Sequence, residues 1–497
     1  IHIKQAGSTE WVKSESFPGI PSGAYVQGIW PSKHDKNRVY AAFNHHKYGD
    51  FKPYLLKSTD GGKSWTSIQS NLPERGTVYA FAEDHKNANL LFTGTEFGLF
   101  TSWDSGKEWN ALKSGLPTVA IKDIEIQERE NDLVLATFGR GFYILDDYSP
   151  LRELENFTKS EAKIFSVKTA KLFNPSKPLG YGGAGFQGAG FYLAPNPEIG
   201  VQFTYYIPEV SKSLKDLRKE KEKKDFESGV VIAYPTSAEL QKEDLEIEPY
   251  HQLIITDKNS QEVIRLNKPQ SKGLKQWLWD GRYPSKEGVS NYNGKTANRS
   301  TSFVSEGEYF AQLYAVDRMG TKAIGAKQSF KIEYLKGGQL PSKDLKNLDQ
   351  FQRKADEAVA KLSAIEERKN RLSKELKHMR ANASLLINMP EASMEKISDL
   401  EFKIDNIEIK LYGNSRLQKL EFETVPGLMD RMGSITWNSY YNSSDPTAMQ
   451  IDNLKIVQEE MPKLANELNE TEEEARKLYM QLINSGMPEL DGSLEQR

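Results

Sequence analysis

The sequence predicts a mainly β protein with an α-helical C-terminal part. Three observations support this fold class. A turn pattern of eight residues occurs twice, 44 positions apart, among strand-like segments in the first third of the chain. Short alternating segments separated by turn residues follow, as in antiparallel sheets. From about residue 342 onward, apolar residues recur at three- and four-residue steps, which is the period of amphipathic helices.

The repeated pattern reads S-x-D-x-G-x-x-W and has the chemistry of a tight turn between two strands. Asp accepts N–H bonds inside the turn, Gly adopts a conformation closed to other side chains, and Trp anchors the returning strand. We therefore predict a structural role for both copies and rank calcium binding by their aspartates below it. The pattern residues are Ser58, Asp60, Gly62 and Trp65 in the first copy, and Ser102, Asp104, Gly106 and Trp109 in the second.

Residues 1–155 are predicted to form blades of a β-propeller, because a repeat of about forty residues with several short strands is typical of a blade. Three units are visible, and Trp11 is a candidate end of a degraded earlier one. Closed propellers have at least about four blades. We expect the missing blades upstream of Ile1, with closure by a partner as the alternative.

Residues 156–337 are predicted to form an immunoglobulin- or fibronectin-like β-sandwich. A charged insert near 211–227 interrupts its short strands and is interpreted as a solvated hairpin or helix. The glycine-rich segment 180–190 lacks the strand, helix and Lys-Ser/Thr context of a phosphate-binding loop.

Residues 338–497 are predicted to be helical, as an antiparallel bundle or hairpin. The first apolar stripe runs from Leu345 to Met379, the second from Ile397 to Leu411, and the third from Ile451 to about Leu482. A partner-binding coiled coil is the sharper alternative for the long helices.

Composition excludes several classes of function. The formal net charge is −3 and no basic excess is present, so nucleic acid is not a predicted partner. The chain has no cysteine, which excludes disulfides, cysteine-based zinc sites and thiol nucleophiles. No apolar run is long enough for a membrane-spanning segment. We expect any membrane association to come through partners or an N-terminal anchor upstream.

Candidate ligand-facing residues cluster in the blade region. A glycosidase needs two carboxylates about 5–5.5 Å apart for retention or about 6.5–9.5 Å apart for inversion, and no such pair is evident from spacing. Adjacent histidines on a strand point to opposite faces, so a metal shared by His45 and His46 is disfavoured. The structural alternative is that Asp146 and Asp147 cap the exit of the last blade and that Arg140 pairs with Glu96. We predict no metal and no cofactor; the candidates are His45, His46, Tyr48, Asp50, Glu96, Arg140, Asp146 and Asp147.

The segments 46–65, 94–109 and 132–147 together resemble the C-terminal half of sortilin-type, VPS10-like proteins with BNR (Asp-box) repeats, common in Bacteroidota. The resemblance continues into residues 194–197, Trp279-Asp280 and the terminal helices, and so covers most of the chain. It implies propeller blades with the Asp-box at their edges, away from the central site. The family is often labelled "glycosyl hydrolase" by propeller similarity. Relatives are expected to carry His at the position of Phe138, which weakens a catalytic or metal role there.

These observations predict an extracytoplasmic, non-catalytic binding or scaffold protein, located in the periplasm, at the outer membrane or outside the cell. Its propeller would present a surface for a protein or a glycan within an envelope assembly. The alternative is a sialidase- or xyloglucanase-like glycoside hydrolase acting on extracellular glycans. A sorting receptor that binds peptides in the propeller funnel is the third hypothesis.

Overall fold

The computed structural model of the chain describes residues 1–4, 9–154, 157, 160–174, 196–288, 301–335, 342–439 and 443–489. The glycine-rich segment 180–190, residues 194–195 and the predicted boundaries at 155/156 and 337/338 lie outside these residues. The described chain is mixed, with antiparallel sheets first and long helices in the C-terminal part. The predicted fold class is confirmed at this level.

Three consecutive sheets follow a small N-terminal hairpin, and in each sheet neighbouring strands pair antiparallel in chain order. The hairpin is β1 (His2–Lys4) with β2 (Trp11–Lys13). Sheet 1 contains β3 (Tyr25–Pro31), β4 (Val39–His45), β5 (Asp50–Ser58) and β6 (Thr66–Ser67). Sheet 2 contains β7 (Val78–Glu83), β8 (Leu91–Thr95), β9 (Gly98–Ser102) and β10 (Asn110–Leu112). Sheet 3 contains β11 (Ile121–Gln127), β12 (Asp132–Thr137) and β13 (Phe142–Leu145).

The three sheets pack face to face in series. Leu55 of sheet 1 lies in one core with Val78 and Trp109 of sheet 2. Leu99 of sheet 2 lies in the next core with Ile121 of sheet 3. Burial of apolar surface between successive sheets, at about 25 cal/mol per Å², therefore holds this region together.

The second region contains two further sheets. The strands are β14 (Lys163–Ile164), β15 (Ala170–Leu172), β16 (Val201–Ile207), β17 (Tyr250–Asp257), β18 (Glu262–Pro269), β19 (Gly273–Trp279), β20 (Gly307–Asp317) and β21 (Gly320–Tyr334). They form a three-stranded sheet, β14-β16-β19, and a five-stranded sheet, β15-β21-β20-β17-β18, which is antiparallel except for the β15–β21 pair. Phe203, Trp279 and Phe330 pack in the core that the two sheets share.

The charged insert of this region is helical. Ser213 begins α1 (Leu214–Glu227) with a capping box, and Thr236 begins α2 (Ser237–Asp244) with another. Arg218 donates from Nε and Nη2 to both carboxylate oxygens of Glu243, at 2.6 and 2.9 Å, and so links the two helices. Neither helix has a buried residue.

The C-terminal region contains α3 (Leu345–Ala383), α4 (Ser393–Tyr412), α5 (Ser415–Gln418), α6 (Leu428–Ser439) and α7 (Ala448–Asn484). Ion pairs give the helix directions. Lys369 pairs with Glu408 and Arg380 with Glu401, so α3 and α4 are antiparallel. The pairs Lys403–Glu474 and Lys410–Glu467 make α4 and α7 antiparallel as well.

Polar contacts attach the helical region to the second region. Tyr283 donates to Asp349 at 3.1 Å, and the buried Ser302 hydroxyl donates to Asp356 at 2.9 Å. Within the described residues, none of the helices combines the length and the apolar character that crossing a bilayer requires.

Candidate functional site

The first copy of the repeated pattern forms the turn between β5 and β6. Asp60 accepts bonds from the Ser64 hydroxyl at 2.6 Å and the Ser64 N–H at 2.9 Å. These bonds, with the Ser58 hydroxyl, hold the pKa of Asp60 well below its usual value. The Ser58 hydroxyl oxygen also accepts the N–H of Gly62, whose φ is +87°. The carboxylate is thus committed to turn donors.

The second copy repeats this geometry between β9 and β10. Asp104 accepts the N–H of Lys107 and of Glu108, each at 3.0 Å, and Ser102 accepts the N–H of Gly106 at 2.8 Å. Trp109 donates from Nε1 to the carbonyl of Ile68, which follows sheet 1. In the first copy, Trp65 donates to Ser14, which follows the N-terminal hairpin. Each Trp therefore fastens its sheet to the chain segment that precedes it.

The three sheets share an irregularity at one position. The pairing of first and second strands shifts between Val26 and Gly28, between Val78 and Ala80, and between Ile121 and Asp123. Each shift leaves one extra residue in the first strand, and these three are Gln27, Tyr79 and Lys122. We call them the bulge row. β-Bulges reorient a side chain and are frequent next to functional sites.

Each bulge-row residue contacts the residue that enters the next turn of its own sheet. Asn44 donates to the Gln27 side-chain oxygen at 2.6 Å, and Tyr79 donates to the Glu96 carboxylate. The Lys122 ammonium lies 5.5 Å from the ring centroid of Phe138. The bulge row and the second-to-third-strand turns therefore occupy one end of the sheets, which we call the turn edge (turns at 45–50, 96–97 and 138–141).

Lys122 also joins two sheets. Its ammonium lies 3.2 Å from the ring centroid of Tyr79 in sheet 2, a cation–π contact. Burial lowers the pKa of Lys122, while the Glu96 carboxylate acts in the opposite direction. Burial and the bond to Glu96 raise the pKa of Tyr79, so its hydroxyl stays protonated at neutral pH.

Exposed aromatic side chains surround the bulge row. Tyr48 and Phe138 are each 72% exposed, and every one of the three turns contributes at least one such ring. The chain segment between sheets 1 and 2 reaches the same edge, since Gly76 donates to the carbonyl of Phe51 at 2.9 Å. The exposed rings at this edge are Tyr25, which pairs with Asn44, and Tyr48, Phe51, Phe97, Phe138 and Phe142.

The first turn brings together four of the sequence-predicted residues. The ring of His45 stacks on Tyr48 with centroids 4.5 Å apart, and its Nδ1 lies 3.6 Å from Asp50 Oδ2. Asp50 accepts the Tyr54 hydroxyl at 2.6 Å, which lowers the pKa of Asp50. Burial raises the pKa of Tyr54 to about 12, with the Asp50 bond acting in the same direction. His46 is exposed, whereas His45 is half-buried.

The remaining predicted residues separate into two places. Arg140 lies exposed in the third turn, and within the described residues no ion pair joins it to Glu96, whose bond is to Tyr79. Asp147 has φ +45° and accepts the Ser149 hydroxyl at 2.6 Å at the opposite end of sheet 3. Partial burial and Asp132 raise the pKa of Asp146 beside it.

Register explains the position of Asp147. Leu133 pairs with Leu145 in sheet 3 as Leu91 pairs with Ser102 in sheet 2. Two residues further along, Asp147 therefore occupies the position of Asp104. The third sheet keeps the aspartate of the turn pattern although the rest of the pattern is absent.

Two buried carboxylates bond successive sheets to each other. Neither was identified from the sequence. Glu83 accepts the Tyr40 hydroxyl of β4 at 2.9 Å and the Ser32 hydroxyl of the β3–β4 loop at 2.6 Å. Asp84 binds both the Nε and Nη2 of Arg152, at 2.8 and 2.7 Å. Both carboxylates have protein donors for their oxygens, which indicates structural roles.

The described residues contain no group of three or more His, Asp or Glu side chains arranged to hold a metal ion. The turn edge contains exposed rings, amides, the phenol–carboxylate pairs Tyr79–Glu96 and Tyr54–Asp50, the ammonium groups of Lys47 and Lys122, and the guanidinium group of Arg140.

Comparison with known proteins assigns no family. No family model matches the chain, and no curated protein matches it. Sixteen chains of solved structures match. An ancestral GH74 enzyme is 24% identical over 28% of this chain and 16% of its own, with a TM-score of 0.20. A GH74 xyloglucanase from Xanthomonas campestris is 12% identical over 63% of this chain and 50% of its own, with a TM-score of 0.22.

The extracellular domain of a protein described as a hybrid two-component system of B. thetaiotaomicron is 10% identical over 63% of this chain and 31% of its own, with a TM-score of 0.20. The chain thus spans half or less of each of these proteins. None of the three is a sortilin-type protein, so that resemblance stays a prediction. TM-scores this low assign neither a fold nor an activity to this chain.

Proposed function

We propose that this chain belongs to an extracytoplasmic, non-catalytic binding protein whose three N-terminal sheets are propeller blades. The turn edge is its ligand-binding surface. The observation that carries the proposal is the threefold repetition there: each sheet contributes one bulged side chain, one turn residue that contacts it, and at least one exposed aromatic ring.

A glycan is the ligand that fits this chemistry best. Exposed aromatic rings offer flat apolar faces for the C–H faces of sugar rings, and an exposed group of them indicates an interaction site. The half-buried Gln27 supplies an amide group for ligand hydroxyl groups, and the buried Asn44 holds it by donating to its side-chain oxygen. Lys122 supplies a positive charge, so an acidic sugar would gain an ion pair as well.

The second candidate, a glycoside hydrolase, is favoured by one observation, the Tyr79–Glu96 pair. A phenol beside a carboxylate is a possible nucleophile–base arrangement. However, the pKa of Tyr79 is raised rather than lowered, and the contacts of Glu96 in the described residues are with Tyr79 and Lys122.

The second and C-terminal regions would brace the sheets and dock them in an envelope assembly. The Glu130 carboxylate, which follows β11, pairs with Lys168 at 2.6 Å and with Lys171 at 3.2 Å in the second region. The second region in turn bonds to α3 through Tyr283 and Ser302. A ligand held at the turn edge would thus be connected to the helices by ion pairs and hydrogen bonds.

The test is a binding titration with polysaccharides, including xyloglucan and a sialylated glycan, followed in parallel by a reducing-sugar assay. We expect binding without release of reducing ends. The double substitution Phe97→Ala and Phe138→Ala should weaken binding at least about tenfold. Phe226→Ala, an equally exposed ring on α1, is the matched control. Hydrolysis that Glu96→Gln abolishes would establish the enzyme instead, and the absence of binding to every polysaccharide would refute a glycan-binding function.

A further inference from the structure

The helical region contains a cavity of about 580 Å³. All of its walls come from residues 409–464, in α4, α6, α7 and the segment 413–427 that joins α4 to α6, which we call the strap. The volume lies in the range of about 300–1,000 Å³ that is usual for small-molecule sites. The apolar lining includes Ile409, Leu417, Val425, Leu428, Ile456 and Leu464.

The strap is fixed at its end and exposed in its middle. A Cβ at Gly427 would lie 2.3 Å from the carbonyl oxygen of Leu411, so only glycine permits this close approach to the end of α4. The Gln418 amide donates to the Thr424 hydroxyl at 3.0 Å and joins the two halves of the strap. An exposed apolar group beside a cavity indicates an interaction site. The exposed apolar side chains of the strap are Leu417, Leu420, Phe422 and Val425.

One cation in the cavity wall differs from the others in its partner. Lys410 and Lys463 each pair with a glutamate of α7, at 2.5 and 2.8 Å. Arg431 of α6 is half-buried and donates from Nη1 to the neutral Asn453 side chain at 2.8 Å. Within the described residues, no carboxylate lies at ion-pair distance from Arg431. Asn453 also donates to Ser434 at 3.0 Å, so the group that orients the guanidinium is itself held in place.

We propose that this cavity binds a small amphipathic carboxylic acid, with the apolar body between α4, α7 and the strap and the carboxylate on Arg431. A planar guanidinium offers paired N–H donors that match the two oxygens of a carboxylate. Asn453 uses a donor on Nη1, which leaves those on Nη2 for the ligand. Glu423 is the remaining charged group of the wall. It is exposed on the strap, so solvent and salt screen its repulsion of the ligand.

The test is a calorimetric titration of the full chain with decanoate, below its micelle concentration, and with decanol, which has the same apolar chain without the charge. We expect decanoate to bind at least about tenfold more tightly than decanol. Arg431→Met keeps the apolar stem and should weaken decanoate about tenfold while leaving decanol unchanged. The matched control is Arg476→Met, which removes an exposed arginine of α7 outside the cavity and should change neither affinity.

A second variant tests the location. Leu417→Trp places a larger ring in the cavity from the partly exposed strap, so it should abolish binding of both compounds without lowering the thermal unfolding temperature. Absence of decanoate binding to the wild-type chain, or an affinity that neither Arg431→Met nor Leu417→Trp changes, would overturn the proposal. Tighter binding of decylamine than of decanoate would also overturn it, because Glu423 would then determine the ligand charge. None of these readouts depends on the ligand of the turn edge.

Discussion

Replacing Arg152 by Met should destabilise the three-sheet region far more than loss of an ordinary surface ion pair would. The Asp84 carboxylate is fully buried, and Arg152 donates to both of its oxygens. The Tyr148 hydroxyl donates to the same carboxylate at 2.5 Å, and the N–H groups of Lys86 and Asn87 donate at 3.0 and 2.7 Å. Without the guanidinium, the buried carboxylate would lose two hydrogen bonds and its counter-charge and would keep the bonds from Tyr148, Lys86 and Asn87.

Removal of one partner of a buried ion pair lowers the free energy of unfolding by about 3–5 kcal/mol. Because three donors to the Asp84 carboxylate remain, we expect the lower end of that range, about 3 kcal/mol. The matched control is Arg129→Met, which removes the surface pair with Glu130, where Arg129 is 77% exposed. Exposed pairs contribute about 0–1 kcal/mol.

The assay is denaturant unfolding followed by tryptophan fluorescence, with hydrogen exchange of residues 78–145 to report on this region, because a chain with several regions need not unfold in one step. A loss below about 1 kcal/mol for Arg152→Met, equal to that of Arg129→Met, would refute the reasoning. Combining Asp84→Asn with Arg152→Met should recover part of the loss, since the uncompensated charge is then removed.

The same pair predicts the response to acid. Burial acts to raise the pKa of Asp84, but the bonds from Arg152 and Tyr148 outweigh it and leave the pKa lowered. The stabilisation is therefore complete above the unfolded-state pKa of about 3.9 and is lost as the pH falls below that value. Hydrogen exchange at decreasing pH should show sheet 2 opening in the wild type, and Asp84→Asn should reduce this pH dependence.

Three further predictions concern other residues. Asp60→Ala should lower the thermal unfolding temperature through lost turn bonds while leaving ligand binding per folded molecule unchanged; a binding loss without a stability loss would contradict the structural role. Gly94→Ala should cost about 1–3 kcal/mol, because its Cβ would lie 2.7 Å from Ile121 Cγ2; unchanged thermal unfolding would contradict the close packing of sheets 2 and 3. Burial lowers the pKa of His251, so stability should decline as the pH falls below about 6.5; His251→Leu should remove that decline, and an unaltered acid profile would exclude this residue as its cause.

The sequence predicted the features that local chemistry determines. The turn pattern, the helix breaks and the order of strands and helices depend on neighbouring residues, and the mixed fold class they indicated is confirmed. The helix α6 was not predicted, although Leu428, Met432 and Ile435 lie at helical steps of four and three residues and are buried. Closure of a propeller and the identity of the sandwich remain predictions.

The candidate site was predicted only in part, and the reason is physical. Glu96 was identified, but its partner Tyr79 is 17 positions away, and Lys122 is in the next sheet. A bulge inserts one residue into the alternation of inward and outward side chains along a strand. In a single sequence, this interruption looks the same as the end of a strand. Arg152 and Asp84 are 68 positions apart and meet only because sheets 2 and 3 pack together. An alignment of the three repeats by strand register would have placed Gln27, Tyr79 and Lys122 at equivalent positions.

The central claim is that ligand binds at the turn edge. Hydrogen exchange of the full chain, with and without the polysaccharide that binds tightest in the titration, tests it most directly. The account predicts new protection at 45–51, 96–98 and 138–142, with the pattern turns 58–65 and 102–109 unchanged. Protection confined to the pattern turns, the second region or the helices would contradict the account.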